Sequence, residues 1–204
     1  MKFKLSKGFT LVELLIVIGL LGAIALIVIA AINPIEQANR ARDSRFQADG
    51  GQLVSAIERY FASHSNFPWE DCSASGCTTS TDEEFGFLSA ASEAVGLCGT
   101  DCNTQGLLIT SDELKNEFLA RDWLKSTAAD SDKIQIGKAQ GSSTSVYACY
   151  VPLSKSNRDK AIAGQKVHTL SFNTNGTVAV TTTACTAANS TAWTETPCYV
   201  CIPE

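Results

Sequence analysis

From Leu14 to Ile32 the chain reads LLIVIGLLGAIALIVIAAI, nineteen residues without a charge. Wound as a helix at 1.5 Å per residue, the run is about 28 Å long, the hydrocarbon thickness of a bilayer. After Pro34 the texture becomes amphipathic. Phe46, Leu53, Ile57, Tyr60 and Phe61 form one helical stripe, while Arg40, Arg42, Asp43, Arg45, Asp49, Glu58 and Arg59 fill much of the rest. The pattern predicts one long helix from Phe9 to about Ser63: residues 9–33 span a membrane, and residues 34–64 are buried on one face by a head domain. Pro34 removes a helical hydrogen bond and Gly50-Gly51 weakens the helix, so both mark bending or melting points. Gly19, Gly22, Ala23, Ala25, Ala30 and Ala31 leave small surfaces for close helix approach, as they would in any span.

His64-Ser65-Asn66-Phe67-Pro68 ends the helix, because a residue before proline avoids the α conformation. Residues 65–132 then mix Ser/Thr/Gly-rich loops with two short helices. Thr81-Asp82-Glu83-Glu84 would open one with an acidic first turn. Thr110-Ser111-Asp112-Glu113 would open the other as a capping box, with Leu114, Phe118, Leu119 and Trp123 toward the core. In residues 133–204 the pattern turns to β. Ser145–Val151, Val167–Phe172 and Thr177–Thr182 are rich in β-branched and aromatic residues, and Asn173-Thr174-Asn175-Gly176 joins the last two as a hairpin. No internal repeat is visible.

Composition sets the limits. The 204 residues are 45% hydrophobic and 18% charged, with a net charge of −5 and 8 cysteines. That suits one domain with an appended element, and it excludes a wholly disordered chain or a basic nucleic-acid footprint. All the cysteines follow the apolar run: Cys72, Cys77, Cys98, Cys102, Cys149, Cys185, Cys198 and Cys201. An even count on one side of a span favours disulfides in an oxidising compartment over reduced core cysteines or zinc ligands. Lys2, Lys4 and Lys7 precede the span and Arg40, Arg42 and Arg45 follow it, so the positive-inside rule does not decide topology. The cysteines place the N-terminus inside and the head outside.

The chain opens MKFKLSKGFTLVELL, a basic leader followed by Gly8-Phe9 and an apolar run interrupted only by Glu13. A secretory signal would stop at a small-residue cleavage site, yet Ala23-Ile24-Ala25 lies inside a run that continues to Ile32. A plain anchor gives no reason for Glu13, and an interfacial glutamate that snorkels is a third reading. A carboxylate in hydrocarbon costs on the order of 2.5–3.5 kcal/mol on insertion scales and usually has a partner. Cleavage after Gly8 would supply one, an α-amino group on Phe9 that is cationic near neutral pH. It could pair with Glu13 of its own chain or of a neighbour.

KGFTLVELLIVIGLLGAIA resembles the type IV pilin signature. The resemblance implies an α+β type IV pilin fold, in which a long N-terminal helix packs on an antiparallel sheet head with disulfides. It also implies that a prepilin peptidase cleaves after Gly8 on the cytoplasmic side and methylates Phe9. Glu13 is then the assembly glutamate, and Pro34 resembles the kinking or melting proline of some pilins, a little further along than usual. Losing the leader, residues 1–8, would leave 196 residues and a net charge of about −8. The implied partners are a homopolymeric filament, the peptidase, inner-membrane assembly machinery and the membrane, with no specific nucleic acid. The precursor would sit in the inner membrane and the product in a cell-surface filament.

Spacing suggests rather than fixes the cysteine pairs. Cys72/Cys77 and Cys98/Cys102 could close small rings. If Cys198-Tyr-Val-Cys201 is a strand, its ends lie roughly 10 Å apart and pair elsewhere, with Cys149 and Cys185 as candidates. If it is a turn, Cys198–Cys201 and Cys149–Cys185 become available. Redox catalysis is not indicated, since activated cysteine pairs use a helix N-terminus. A four-cysteine zinc site would need irregular spacings. His64 and His168 read as structural or solvated, and no catalytic motif is present, so neither enzyme activity, a metal nor a cofactor is expected. Asn175-Gly-Thr and Asn189-Ser-Thr match a glycosylation pattern that carries little weight here. Three functions compete: a major pilin used for adhesion, motility or DNA uptake, a pseudopilin or minor pilin, and an anchored domain that never polymerises. Only Glu195 and Glu204 are acidic in the last 40 residues, which favours a pilin over a calcium-binding pseudopilin.

Overall fold

The computed structural model describes residues 8–31, 33–71, 85–125, 127–139, 144–170, 178–180, 185, 190–195 and 198–203. The chain divides into two units, Met1–Ala38 and Asn39–Glu204. The first contains helix α1, Leu11–Ala31. Helix α2, Pro34–His64, starts in the first unit and supplies the second with its packing face.

Two helices therefore stand where the periodicity predicts one. Asn33 begins α2 as a cap, its Oδ1 accepting the Glu36 N–H at 3.2 Å and its carbonyl accepting the Gln37 N–H at 3.2 Å. Pro34 takes the first helical position, where the N–H it lacks would have no intrahelical partner. It starts a helix instead of deleting a bond inside one. Gly50-Gly51 does not melt α2, which runs through both residues. Gly50 is buried, and a Cβ there would lie 3.1 Å from Ile202 and 3.3 Å from Ala148, so the missing side chain lets α2 lie close to the sheet.

After α2 come a short helix α3 (Pro68–Asp71), strand β1 (Phe85–Ser89) and one helical turn α4 (Leu107–Thr110). Next are β2 (Gln135–Lys138), β3 (Val146–Tyr150) and helix α5 (Lys155–Ala163). The chain then forms β4 (His168–Leu170), β5 (Val178–Val180), α6 (Ser190–Glu195) and β6 (Val200–Ile202). The main sheet is antiparallel in the order β1-β2-β3-β6, and β4 pairs with β5 in a second, two-stranded ladder.

Alternation along the strands divides the core in two. Val146, Ala148 and Tyr150 of β3 face the cluster built on Phe46, Leu53, Ile57 and Tyr60 of α2. Cys149, Val151 and Cys201 face the other cluster, with Phe87, Val167, Trp193 and Tyr199. The sheet is thus covered by α2 on one side and by the disulfide-bonded C-terminal segment on the other. A register shift between Phe85 and Leu88 turns Phe85 to the helix side and Phe87 to the opposite side. Phe61, Phe67, Trp69 and Phe85 stack in series at 4.3, 4.6 and 4.4 Å between ring centres, closing the far end of α2.

Of two expected helix starts, one lies outside the described residues and the other is corrected. Residues 81–84 and the hairpin turn 173–176 lie outside the described residues, but Phe85–Ser89 directly after Glu84 is a strand. Thr110 ends α4 rather than opening a helix. Asp112 takes a left-handed φ of 61°, and the Leu114 N–H returns to the Leu108 carbonyl at 2.9 Å, reversing the chain. Phe118 and Trp123 are nevertheless buried, and Leu114 and Leu119 pack at the margin of the core.

Candidate functional site

α1 has no polar face. Its side chains from Leu11 to Ile29 are exposed, and Leu11–Ile29 is long and apolar enough to cross a membrane. Among the described residues, every exposed large hydrophobic side chain lies between Phe9 and Ile35. The described part of the head hides its large apolar groups, so the exposed apolar surface is concentrated on α1 and the residues flanking it.

Thr10 and Glu13 define where that element begins. The Thr10 N–H donates to Glu13 Oε2 at 2.8 Å, and its hydroxyl donates to the same oxygen at 2.9 Å. In return, the Glu13 N–H donates to Thr10 Oγ1 at 3.2 Å. This is a capping box, with two helix-end donors satisfied reciprocally. Glu13 also lies where the helix dipole favours an anion. Gly8, Phe9 and Thr10 remain outside the helix, and Phe9 is 85% exposed. A Cβ on Gly8 would meet nothing within 4 Å.

Within the head, acidic residues of α2 hold the loops that surround it. Asp43, fully buried, accepts from the Leu153 and Ser154 N–H groups at 3.0 and 2.9 Å and from Asn157 Nδ2 at 3.0 Å. Arg42 pairs with Asp43 at 3.3 Å and with Asp132 at 2.8 Å, and its guanidinium lies 4.1 Å over the Phe46 ring. Asp49, also buried, accepts from Trp123 Nε1 at 3.0 Å and pairs with Arg121 at 3.2 Å.

Among the described residues, three disulfides fasten the rest: Cys98–Cys102, Cys149–Cys201 and Cys185–Cys198. Cys149 and Cys201 stand directly opposite in the β3–β6 ladder. Cys198 and Cys201 therefore have different partners. Cys72 and Cys77 lie outside the described residues, as do both glycosylation-like asparagines. Among the described residues no group of three or more His, Cys, Asp or Glu side chains could hold a metal ion.

The first residues match a family model described as the prokaryotic N-terminal methylation motif, over residues 3–29. Two fimbrial proteins of Neisseria meningitidis are similar. The serogroup A protein is 35% identical over 78 residues, covering 38% of this chain and 44% of that protein. The serogroup B protein is 33% identical over 76 residues, 37% and 44% of the two chains. A type IV major pilin protein, PilE1, of Neisseria gonorrhoeae is 26% identical over 103 residues, 50% and 56% of the two chains.

The chain thus carries the N-terminal methylation motif and is similar, over part of its length, to fimbrial proteins and a type IV major pilin. The fold agrees, with a long apolar N-terminal helix, an antiparallel four-stranded sheet and disulfides. The chain spans about half the length of the curated relatives it matches. No solved structure matches the chain. Thr10 joins Gly8, Phe9 and Glu13 here, and the Thr10-x-x-Glu13 spacing is its signal in the sequence. Asp43 and Asp49 lie off the apolar stripe and carry no local sign of burial, because their partners are distant in sequence.

Proposed function

We propose that this chain is a type IV pilin, made as a precursor, cleaved between Gly8 and Phe9, methylated on Phe9 and polymerised through α1 as the major subunit of a type IV pilus. The observation that carries the reading is the exposed apolar surface gathered on α1, with a carboxylate at its start. Such a helix can lie in lipid first and then in a bundle of identical helices, where its apolar surface is again covered. Glu13 then pairs with the Phe9 amine of a neighbour and sets the axial register. Gly8 supports the cleavage site, since neither packing among the described residues nor a left-handed backbone calls for glycine there. The partners are further copies of the chain, the processing peptidase and the inner-membrane assembly machinery. The precursor resides in that membrane, the filament lies outside the cell, and the role is structural rather than enzymatic. The names of the relatives, fimbrial protein and major pilin, support this reading.

Electron microscopy of sheared cell-surface material, with mass spectrometry of its main protein, tests the proposal. Abundant filaments of a chain beginning at methylated Phe9 are expected. Retention of the whole chain in the envelope, without filaments, would overturn it.

A further inference from the structure

We infer that Thr10 is a positioning residue for Glu13 during filament assembly, holding one carboxylate oxygen so that the other is offered to a second copy of the chain. The inference rests on the proposed assembly role of Glu13. Both Thr10 donors converge on Oε2, at 2.8 and 2.9 Å, while Oε1 accepts no hydrogen bond among the described residues. The hydroxyl acts in two directions, donating to the carboxylate and accepting the Glu13 N–H at 3.2 Å. A glutamate on an exposed helix otherwise samples many rotamers, and ordering it for a partner costs entropy. Here that ordering is done within the first turn before a partner arrives. An incoming ammonium can take Oε1 without displacing Thr10 from Oε2. Thr10 lies after the Gly8–Phe9 bond, so its contacts remain when the leader is removed.

The test compares full-length Thr10→Ser, Thr10→Val, Thr10→Ala, Glu13→Gln and Glu13→Ala in cells carrying the processing and assembly machinery. Leader removal is read by mass and filament yield from the sheared fraction. Thr10→Ser should assemble like the parent. Thr10→Val and Thr10→Ala should lose their leader normally yet give about fivefold fewer filaments, the scale of a lost helix cap. Glu13→Gln retains an acceptor for the cap but not the charge, and should fail as Glu13→Ala does. If both Glu13 variants assemble normally, the assembly role of Glu13 falls and this inference falls with it. If they fail while Thr10→Val and Thr10→Ala assemble normally, only the role of Thr10 is overturned. Blocked leader removal in both Thr10→Val and Thr10→Ala, or a Thr10→Ser defect as deep as theirs, would overturn it too.

Discussion

Ser154 donates its backbone N–H to the buried carboxylate of Asp43 at 2.9 Å, fastening the start of α5 to α2. Ser154 in turn caps α5, its side chain accepting the Asn157 N–H at 3.3 Å. One acid thus organises the turn after β3 and the helix that follows it. Asp43→Ala would leave the Leu153, Ser154 and Asn157 donors without their acceptor in a buried place. The expected loss is roughly 3 kcal/mol, at 1–3 kcal/mol per stranded group with partial relaxation. Asp132→Ala removes a half-exposed partner of Arg42 and should cost under about 1 kcal/mol. Denaturant unfolding of the full chain in detergent, followed by tryptophan fluorescence, compares the two.

The adjacent glycines of α2 should respond differently to the same added methyl group. A Cβ on Gly51 meets nothing within 4 Å, so Gly51→Ala should gain the helix preference of alanine, about 0.5–1 kcal/mol. At Gly50 the methyl group meets Ile202 at 3.1 Å and Ala148 at 3.3 Å, and much of that gain is lost to displacement of the sheet. Gly50→Leu should destabilise by about 1–3 kcal/mol through overpacking. Equal stabilisation by the two alanine variants in thermal unfolding would count against this close approach.

Period and spacing made α1, the buried stripe of α2 and strands β3, β4 and β5 legible before any coordinates. These signals are local: an apolar run, a 3.6-residue repeat and β-branched clusters. Strand β1 was hidden because its register shift sends Phe85 and Phe87 to opposite faces, erasing the two-residue alternation. The burial of Asp43 and Asp49 was not legible because the residues that satisfy them, Ser154 and Trp123, are 111 and 74 positions away. Capping chemistry is local too, yet not sufficient. Thr10–Glu13 opens a helix, whereas Thr110–Glu113 has the same spacing but ends one, where Asp112 turns left-handed and the chain folds back on Leu108. At the candidate site, Gly8, Phe9 and Glu13 stood out by type and order, while Thr10 became visible only through its hydrogen bonds.

The disulfides should contribute in the order of the loops they close. Cys149–Cys201 spans 52 residues, Cys185–Cys198 spans 13 and Cys98–Cys102 spans 4. Chain entropy of the unfolded state assigns them about 4, 3 and 2 kcal/mol. Paired serine substitutions, one bridge at a time, should lower the midpoint of unfolding in that order. The Cys149/Cys201 variant also weakens the β3–β6 ladder, so amide exchange at Val200–Ile202 should rise most there.

Two tyrosines set an alkaline limit on stability and a histidine sets an acid one. Tyr60, buried and donating to Asp71 at 2.9 Å, has its phenol pushed up to about 12 by burial, that hydrogen bond and the Asp71 charge. Burial, helped by the Asp130 charge, moves Tyr199 to about 12 as well. A raised pKa means the fold favours the protonated phenol. That contribution is complete below pH 10, where unfolded tyrosine titrates, and is lost as pH rises from 10 to 12. For His168 the sign is reversed. Burial lowers its pKa, so the fold favours neutral imidazole, and its contribution is present above about 6.5 and lost as pH falls through the lowered value. Stability measured against pH should therefore fall on both sides of a plateau. Tyr60→Phe, which removes the titrating phenol and its bond to Asp71, should lower the plateau but soften the decline above pH 10. His168→Gln should soften the decline below pH 6.5 and leave the alkaline side unchanged. An alkaline decline equally steep in Tyr60→Phe and the parent would show that the phenol does not titrate with unfolding.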